Sequence, residues 1–286
     1  MKQTELITNN DNTIFHLHLT GKDIADRIII VGDPARVELI GSLLHSIKIK
    51  KSNREFHTIT GMYSGKEITV ISSGIGTDNI DILVNELDAA VNYDLKTKKR
   101  KEEKRILNIV RLGTSGGLQA DIEPGSYLVS RKAIGFDNVM NYYSGIESIT
   151  DKSFESALIK HLKWSCRLST PYIIDSDPEQ FERFTSLGLA AGLTISASGF
   201  YAPQGRRLSL EPYMYDINDR IQSFRYNGEM ICNYEMESSA IYGLSKMLGH
   251  KALTVCSVIG NRITGEFLND YRKSIVNLAK IVIKNI

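Results

Sequence analysis

The chain has 286 residues, 42% hydrophobic and 24% charged, a profile of a globular protein long enough to bury a full core. A formal net charge of +2 excludes the strongly basic balance of a nucleic-acid binder, and no apolar run reaches membrane-spanning length. Met1 to Asn10 is polar, without the apolar segment of a signal peptide. Cys166, Cys232 and Cys256 form no CxxC pair, so a reducing cytoplasm is the expected compartment.

Arg27 to Val31 (RIIIV) is short, apolar and β-branched, which predicts a buried strand. Gly32-Asp33-Pro34 follows, with Asp33 placed to cap a helix and Pro34 at its first position; that helix is expected to run to about Leu44. Glu67 to Ser72 predicts a strand after the turn at Ser64-Gly65, and Gly74-Ile75-Gly76 breaks the pattern. Asn79 to Val91 carries apolar residues at helical spacing. Lys96 to Arg105 (KTKKRKEEKR) is the one charge run; its mixed signs and its place between a helix and a strand favour a solvated loop over a polyanion site. Ile106 to Leu112 predicts a strand that ends in Gly113-Thr114-Ser115-Gly116-Gly117. Further strands are expected at Ser126 to Ser130, Ala190 to Ser196 and Ala252 to Ile259, with helices at Glu237 to Leu248 and Asp270 to Ile283. Alternating strands and helices imply an α/β fold with a mostly buried sheet. With no internal repeat and no linker rich in Pro, Gly or Ser, residues 1–286 are expected to form one domain.

Three stretches could carry chemistry. The first is the set of glycine-containing breaks after strands, at Gly32, Gly74 to Gly76 and Gly113 to Gly117, with Arg36 and Arg111 beside two of them. Ligands of α/β sheets gather outside the carboxyl ends of strands, glycine lets backbone N–H groups approach an anion, and arginine can grip phosphate with two parallel bonds. Taken alone, each break is more often a plain turn, and neither a GxxxxGK[ST] nor a GxGxxG motif is present. The second is Asn233-Tyr234-Glu235-Met236-Glu237-Ser238 before a helix. Carboxylates at i and i+2 share one side of an extended segment and could accept bonds from sugar hydroxyls; acidic capping of the helix start is the competing reading. The third is Phe200-Tyr201-Ala202-Pro203-Gln204-Gly205-Arg206-Arg207. Gln204 offers a donor and an acceptor and Arg206 only donors, a pairing suited to O2, N3–H and O4 of a uracil ring, with Phe200 available to pack on a nucleoside. A polar surface turn is the alternative.

Taken together, FHL from Phe15, GDPARV, NREF, SSGIG, VRLGTSGG, FYxxQxR, NYEMES and SVIGNR resemble, in order, the nucleoside phosphorylase family of uridine and purine nucleoside phosphorylases. The resemblance implies an α/β/α domain on a central mixed, partly closed sheet. It implies phosphate binding by Gly32, Arg36, Arg111 and Thr114, joined by Arg54 of a neighbouring subunit. Met236 and Glu237 would bind ribose, with Glu235 beside them and His16 reaching in from the neighbour. Ser115, Gly116, Phe200, Gln204 and Arg206 would line the base site, with Arg262 near it. Within that family this chain looks nearest to uridine phosphorylases, which split uridine with inorganic phosphate in pyrimidine salvage, use no cofactor and require no metal. The implied partners are therefore uridine and phosphate, with no nucleic acid and no membrane. A homo-oligomer, dimer or hexamer, would share its sites across a dimer interface.

Two departures from the family's bacterial uridine enzymes stand out. Gly74-Ile75-Gly76-Thr77-Asp78-Asn79 replaces their usual GIGGPS, and Lys96 to Arg105 is longer. Some of those enzymes hold a monovalent cation between subunits at positions matching Glu55, Ile75 and Asn79, the last commonly serine. The family's purine enzymes carry Ser-Asp, the acid that protonates N7, where this chain has Ile259-Gly260. A general acid contributes roughly 10²–10⁴-fold, so its loss disfavours the alternative of a purine phosphorylase or N-ribosyl hydrolase. A non-catalytic binding or storage relative is the other alternative, disfavoured because Arg36, Arg54, Arg111, Glu237, Gln204 and Arg206 are all present.

Overall fold

A computed structural model describes residue 2 and residues 4–286; Met1 and Gln3, in the polar N-terminal stretch, lie outside the described residues. In chain order the elements are β1 (Arg27–Val31), α1 (Pro34–Gly41), β2 (His45–Asn53), β3 (Phe56–Tyr63), β4 (Lys66–Ser72) and α2 (Thr77–Asn92). A small hairpin, β5 (Tyr93–Asp94) and β6 (Lys99–Arg100), leads to β7 (Asn108–Gly117) and β8 (Tyr127–Gly135). Next come α3 (Lys152–Leu162), β9 (Tyr172–Asp175), α4 (Pro178–Thr185), β10 (Ala190–Ser196), α5 (Ile217–Ser223), β11 (Arg225–Tyr226) and β12 (Glu229–Glu235). The chain closes with α6 (Ser238–Leu248), β13 (Lys251–Asn261) and α7 (Tyr271–Asn285).

One 11-stranded mixed sheet runs β11-β12-β10-β8-β13-β7-β1-β4-β3-β2, with β9 attached to β8. β4, β1, β7 and β13 are parallel neighbours, so their carboxyl ends open on the same side. β12 also turns back to pair antiparallel with β7, at Asn233↔Gly117 and Tyr234↔Gly116. The path β7-β13-β8-β10-β12-β7 is thereby a closed ring, and the sheet is partly closed as the resemblance implied.

The layering follows from the strand period of two. On β1, Ile28 and Ile30 face a core with Ile80, Leu83, Val84 and Leu87 of α2 and Ala240, Ile241 and Leu244 of α6. Ile29 and Val31 face the opposite core, with Val37 and Ile40 of α1 and Leu278, Val282 and Ile283 of α7. Because β1 is apolar on both faces, it can only be central. Its exit is set locally: the Asp33 carboxylate accepts from Ala35 N–H at 2.8 Å and Pro34 takes the first turn of α1.

Three expectations need correction. Gly113 to Gly117 is not a break; it is the second half of β7, which stays extended because β13 flanks it throughout and β12 closes on its last two residues. The helix expected to reach Leu44 ends at Gly41, where Ser42 N–H bonds to Glu38 O. The helix expected from Glu237 starts at Ser238, with Glu237 as its N-cap residue in a non-helical conformation (φ −137°, ψ −26°). Lys96 to Arg105 lies mostly exposed, as expected, over the turn and second strand of the β5–β6 hairpin. Among the described residues no helix is long and apolar enough to cross a membrane.

Candidate active site

The carboxyl ends of the parallel strands surround a cavity of ≈ 670 Å³. Of the residues singled out in the sequence, Gly32, Arg36, Ile75, Arg111, Thr114, Ser115, Gly116, Phe200, Gln204, Arg206, Glu235, Met236, Glu237 and Arg262 all line it. The strand order explains the convergence: residues far apart in sequence leave the sheet at the same end.

Arg111, on β7, is buried and bridges both carboxylates of the acidic pair. Its Nη1 lies 3.1 Å from Glu235 Oε2, and its Nη2 donates to Glu237 Oε2. Nη1 also reaches Cys256 Sγ at 3.4 Å. The guanidinium lies over Gly113, where a Cβ would stand 2.1 Å from Nη1; only glycine permits this approach. Burial alone would lower the pKa of Arg111, but the charges of Glu237 and Glu235 outweigh it and hold the guanidinium above its usual range. One guanidinium cannot neutralise two carboxylates, so burial first, with Glu235 adding to it, keeps Glu237 above the usual carboxylate range against the pull of Arg111.

The two carboxylates divide the roles that the sequence left open. Glu235 accepts from Glu237 N–H at 2.9 Å, from Ser238 N–H at 3.0 Å and from Ser196 Oγ, so it caps the start of α6 while steadying Arg111. Glu237 accepts from Gly76 N–H at 2.7 Å across the cavity, which ties the loop after β4 to the start of α6. Arg36 stands near Arg111; burial depresses its pKa, the charge of Asp33 opposes that, and the charge of Arg111 adds to it.

A second group of polar side chains is centred on Gln204, which is only 3% exposed at the end of a short 3-10 turn. Its Oε1 accepts from Arg206 Nη1 at 2.5 Å, and its main-chain oxygen accepts from Arg262 Nη2 at 3.0 Å. Arg206 lies 3.7 Å over the Phe200 ring, a cation–π contact. Burial, and then the charge of Arg262, push Arg206 down to about 10, which leaves it charged at neutral pH. Ser115 Oγ and Tyr234 OH are buried with no partner among the described residues. Tyr234, Asn261 and Phe267 line the cavity without having been singled out. Tyr234 and Asn261 sit inside motifs already quoted, whereas nothing local marks Phe267, which comes from the loop after β13.

His16 and Arg54 do not line this cavity. His16 Nδ1 bonds to Glu86 Oε1 at 2.6 Å beside a separate hollow, and Arg54 is exposed at the β2–β3 turn with φ 53°. Glu55 and Asn79 meet over Gly74: a Cβ there would lie 3.1 Å from Glu55 Cγ and 2.4 Å from Asn79 Nδ2. Asn79 Nδ2 donates to Ile75 O at 3.4 Å.

Comparison with known proteins matches residues 26–286 to a model of the phosphorylase superfamily. A uridine phosphorylase of Thermococcus kodakarensis is 29% identical over 263 residues, covering 88% of this chain and 79% of its own. A uridine phosphorylase of Haemophilus influenzae is 28% identical, covering 90% of each. A DeoD-type purine nucleoside phosphorylase of Listeria welshimeri is 26% identical over 88% of each. Among solved structures, a Trypanosoma brucei nucleoside phosphorylase described as showing uridine phosphorylase activity superposes with a TM-score of 0.86 at 29% identity. It covers 98% of this chain and 100% of its own.

Proposed function

The chain belongs to the phosphorylase superfamily, and we propose that it is a uridine phosphorylase, converting uridine and inorganic phosphate reversibly to uracil and ribose 1-phosphate. The observation that carries this reading is Gln204, buried against Arg206 in the cavity wall. A buried amide beside a guanidinium matches the O2, N3–H and O4 edge of uracil, and a site with such groups rejects rings that leave them unpaired. Ile259 and Gly260 line the same cavity and supply no acid for a purine N7. The purine reading draws its support from DeoD-type relatives at 25–26% identity.

In this mechanism Gly32, Arg36, Arg111 and Thr114 hold phosphate, and Arg54 of a second subunit completes the cradle. Met236 and Glu237 hold the ribose, with His16 of that second subunit at its 5′ end. Glu235 acts as a positioning residue, through Arg111 and the start of α6. A phosphate oxygen attacks C1′ on the face opposite the base. As the C1′–O bond forms, the C1′–N1 bond breaks, and its electron pair passes to the uracil ring. The sugar gains oxocarbenium character in between, as in glycoside cleavage. Alignment of the nucleophile removes entropic cost, and Arg206 donating where charge grows on O4 stabilises the leaving ring. Phosphate is a substrate here, and the scheme uses no cofactor. A homo-oligomeric salvage enzyme of the cytoplasm is the setting this reading supports.

The test is release of free base from uridine, cytidine and inosine, with and without phosphate. Uridine should be cleaved best, and its cleavage should nearly stop without phosphate. Inosine cleaved as fast as uridine would overturn the pyrimidine assignment, and rates independent of phosphate would make the protein a hydrolase.

A further inference from the structure

Phe15 to Leu17 form a turn outside any helix or strand, so the backbone there needs partners from elsewhere in the chain. Glu86 of α2 supplies them. Its Oε2 accepts from His16 N–H at 2.9 Å and from Leu17 N–H at 3.0 Å, and its Oε1 accepts from His16 Nδ1 at 2.6 Å. From the residue before Arg54, Asn53 Nδ2 donates to His16 O at 2.7 Å. His16 and Arg54, the two groups that do not line their own cavity, are thus braced against each other and against α2. The neighbouring carboxylates of α2 are engaged elsewhere: Asp81 accepts from Tyr143 OH and Asn85 Nδ2, and Asp88 accepts from Asn92 Nδ2. Glu86 alone faces the His16 ring.

That contact decides which ring nitrogen carries the proton. A carboxylate can only accept, so the Nδ1 facing it is the N–H. A neutral imidazole has one N–H, which leaves Nε2 as a lone pair, and Nε2 has no hydrogen-bond partner among the described residues. Resting on the uridine reading and its shared site, we infer that Glu86 is a positioning residue that fixes His16 as a hydrogen-bond acceptor toward the ribose bound in a second subunit. The Nε2 lone pair accepts from the 5′-hydroxyl of the sugar and has nothing to offer a 5′ oxygen that lacks a proton. The site therefore reads the 5′ end as a donor. Glu86→Gln reverses this polarity at nearly constant shape. The two main-chain N–H groups hold the amide oxygen at the place of Oε2, which turns the amide NH₂ toward Nδ1. Nδ1 must then accept, the ring proton moves to Nε2, and His16 becomes a donor.

The experiment measures kcat/KM with phosphate for uridine, 5′-deoxyuridine and 5′-O-methyluridine, in mildly alkaline buffer. The deoxy sugar has no 5′ oxygen, and the ether oxygen can only accept. In the parent protein both analogues should be poorer than uridine, on the order of tenfold, the loss of one hydrogen bond. In Glu86→Gln the ratio of the ether to the deoxy analogue should rise by about tenfold, because Nε2–H now donates to the ether. Imidazole nitrogen NMR of the native protein, with the His16 signal assigned from His16→Gln, should show Nδ1 protonated and Nε2 bare. An Nε2–H ring in the native protein overturns the inference, as does a Glu86→Gln protein that loses activity equally on all three substrates. A protein that cleaves uridine but fails these tests disproves only this inference. One that does not cleave uridine disproves the reading it rests on, and the NMR measurement still reads the role of Glu86.

Discussion

A methyl group at position 113 would stand 2.1 Å from Arg111 Nη1 and 2.7 Å from its Cζ. Gly113→Ala should therefore push the guanidinium off Glu235 and Glu237 without adding or removing a charge. A displacement of about 1 Å at a positioned group costs on the order of 10² in rate, and kcat/KM for phosphorolysis should fall by that order. Steady-state kinetics with phosphate varied will check it. Arg111→Met makes the harsher change, because two buried carboxylates lose their partner, at a cost of about 3–5 kcal/mol. The pH dependence has a definite sign. The pKa of Glu237 is already raised in the fold, and removing Arg111 raises it further, so the folded state holds its proton more tightly than the unfolded chain. Stability from this group is full below the unfolded pKa and is lost as pH rises through the folded one. Arg111→Met should thus lose most stability relative to the parent at neutral pH and recover part of it in mild acid. Urea unfolding of both proteins at about pH 5 and about pH 8 measures this.

At the scale of elements, the N-terminus of α6 is held by a chain of bonds from outside the helix. The Asp137 carboxylate accepts from Tyr172 OH and Ser239 Oγ, each at 2.7 Å. Ser239 N–H donates to Ser196 Oγ at 2.9 Å, and Ser196 Oγ donates to Glu235. Ser196→Ala would leave the buried Ser239 N–H unpaired and free one side of Glu235. The expected loss is about 1–3 kcal/mol of stability, with a raised KM for phosphate. Ser196→Thr, which keeps the hydroxyl, should restore the KM if the effect runs through Glu235. β1 was legible because it is a short apolar run bounded by Asp26 and Gly32, and the observed spans of β1 and β10 match the expected ones at Arg27–Val31 and Ala190–Ser196. The β2–β3 hairpin was missed: β2 (HSIKIKKSN) is a largely exposed edge strand, and lysines there carry no burial pattern to read. The helices α3 and α4 were not expected, although Asp151 and Asp177 cap them and Phe154, Leu158 and Leu162 recur at helical spacing in α3; in α4 Phe184 is the one fully buried apolar side chain, too little for a pattern. Gly113 to Gly117 was misread because glycine signals a turn locally, whereas here it serves a guanidinium and a strand pairing supplied from elsewhere in the chain. For the site, the arginines, the acidic pair and Gln204 were visible in motifs. The hold of Glu235 on the helix start and the bond from Arg262 Nη2 to Gln204 O arise from tertiary geometry that no local spacing encodes.

For the whole molecule, the proposed catalytic unit is larger than one chain, since His16 and Arg54 lie outside the cavity of their own subunit. If a second subunit receives them, a His16→Ala/Arg54→Ala chain mixed with an Arg206→Ala chain under verified subunit exchange should regain activity, because each mixed dimer holds one intact site. No recovery after exchange would mean that each cavity works alone. A different consequence follows from the closed ring of strands. β7 pairs with β13 along its full length, from Lys251↔Asn108 to Asn261↔Gly117, but with β12 only at Asn233↔Gly117 and Tyr234↔Gly116. That short pairing is the weakest stave joint of the barrel, and regions with few backbone bonds open at lower free energy than the global fold. When it parts, Arg111 on one stave separates from Glu235 at the end of the other, while the remaining β-structure stays intact. Heat should therefore silence this protein before it unfolds it, and the amides of Leu118 and Tyr234 should exchange with solvent sooner than those of Ile29 and Val110.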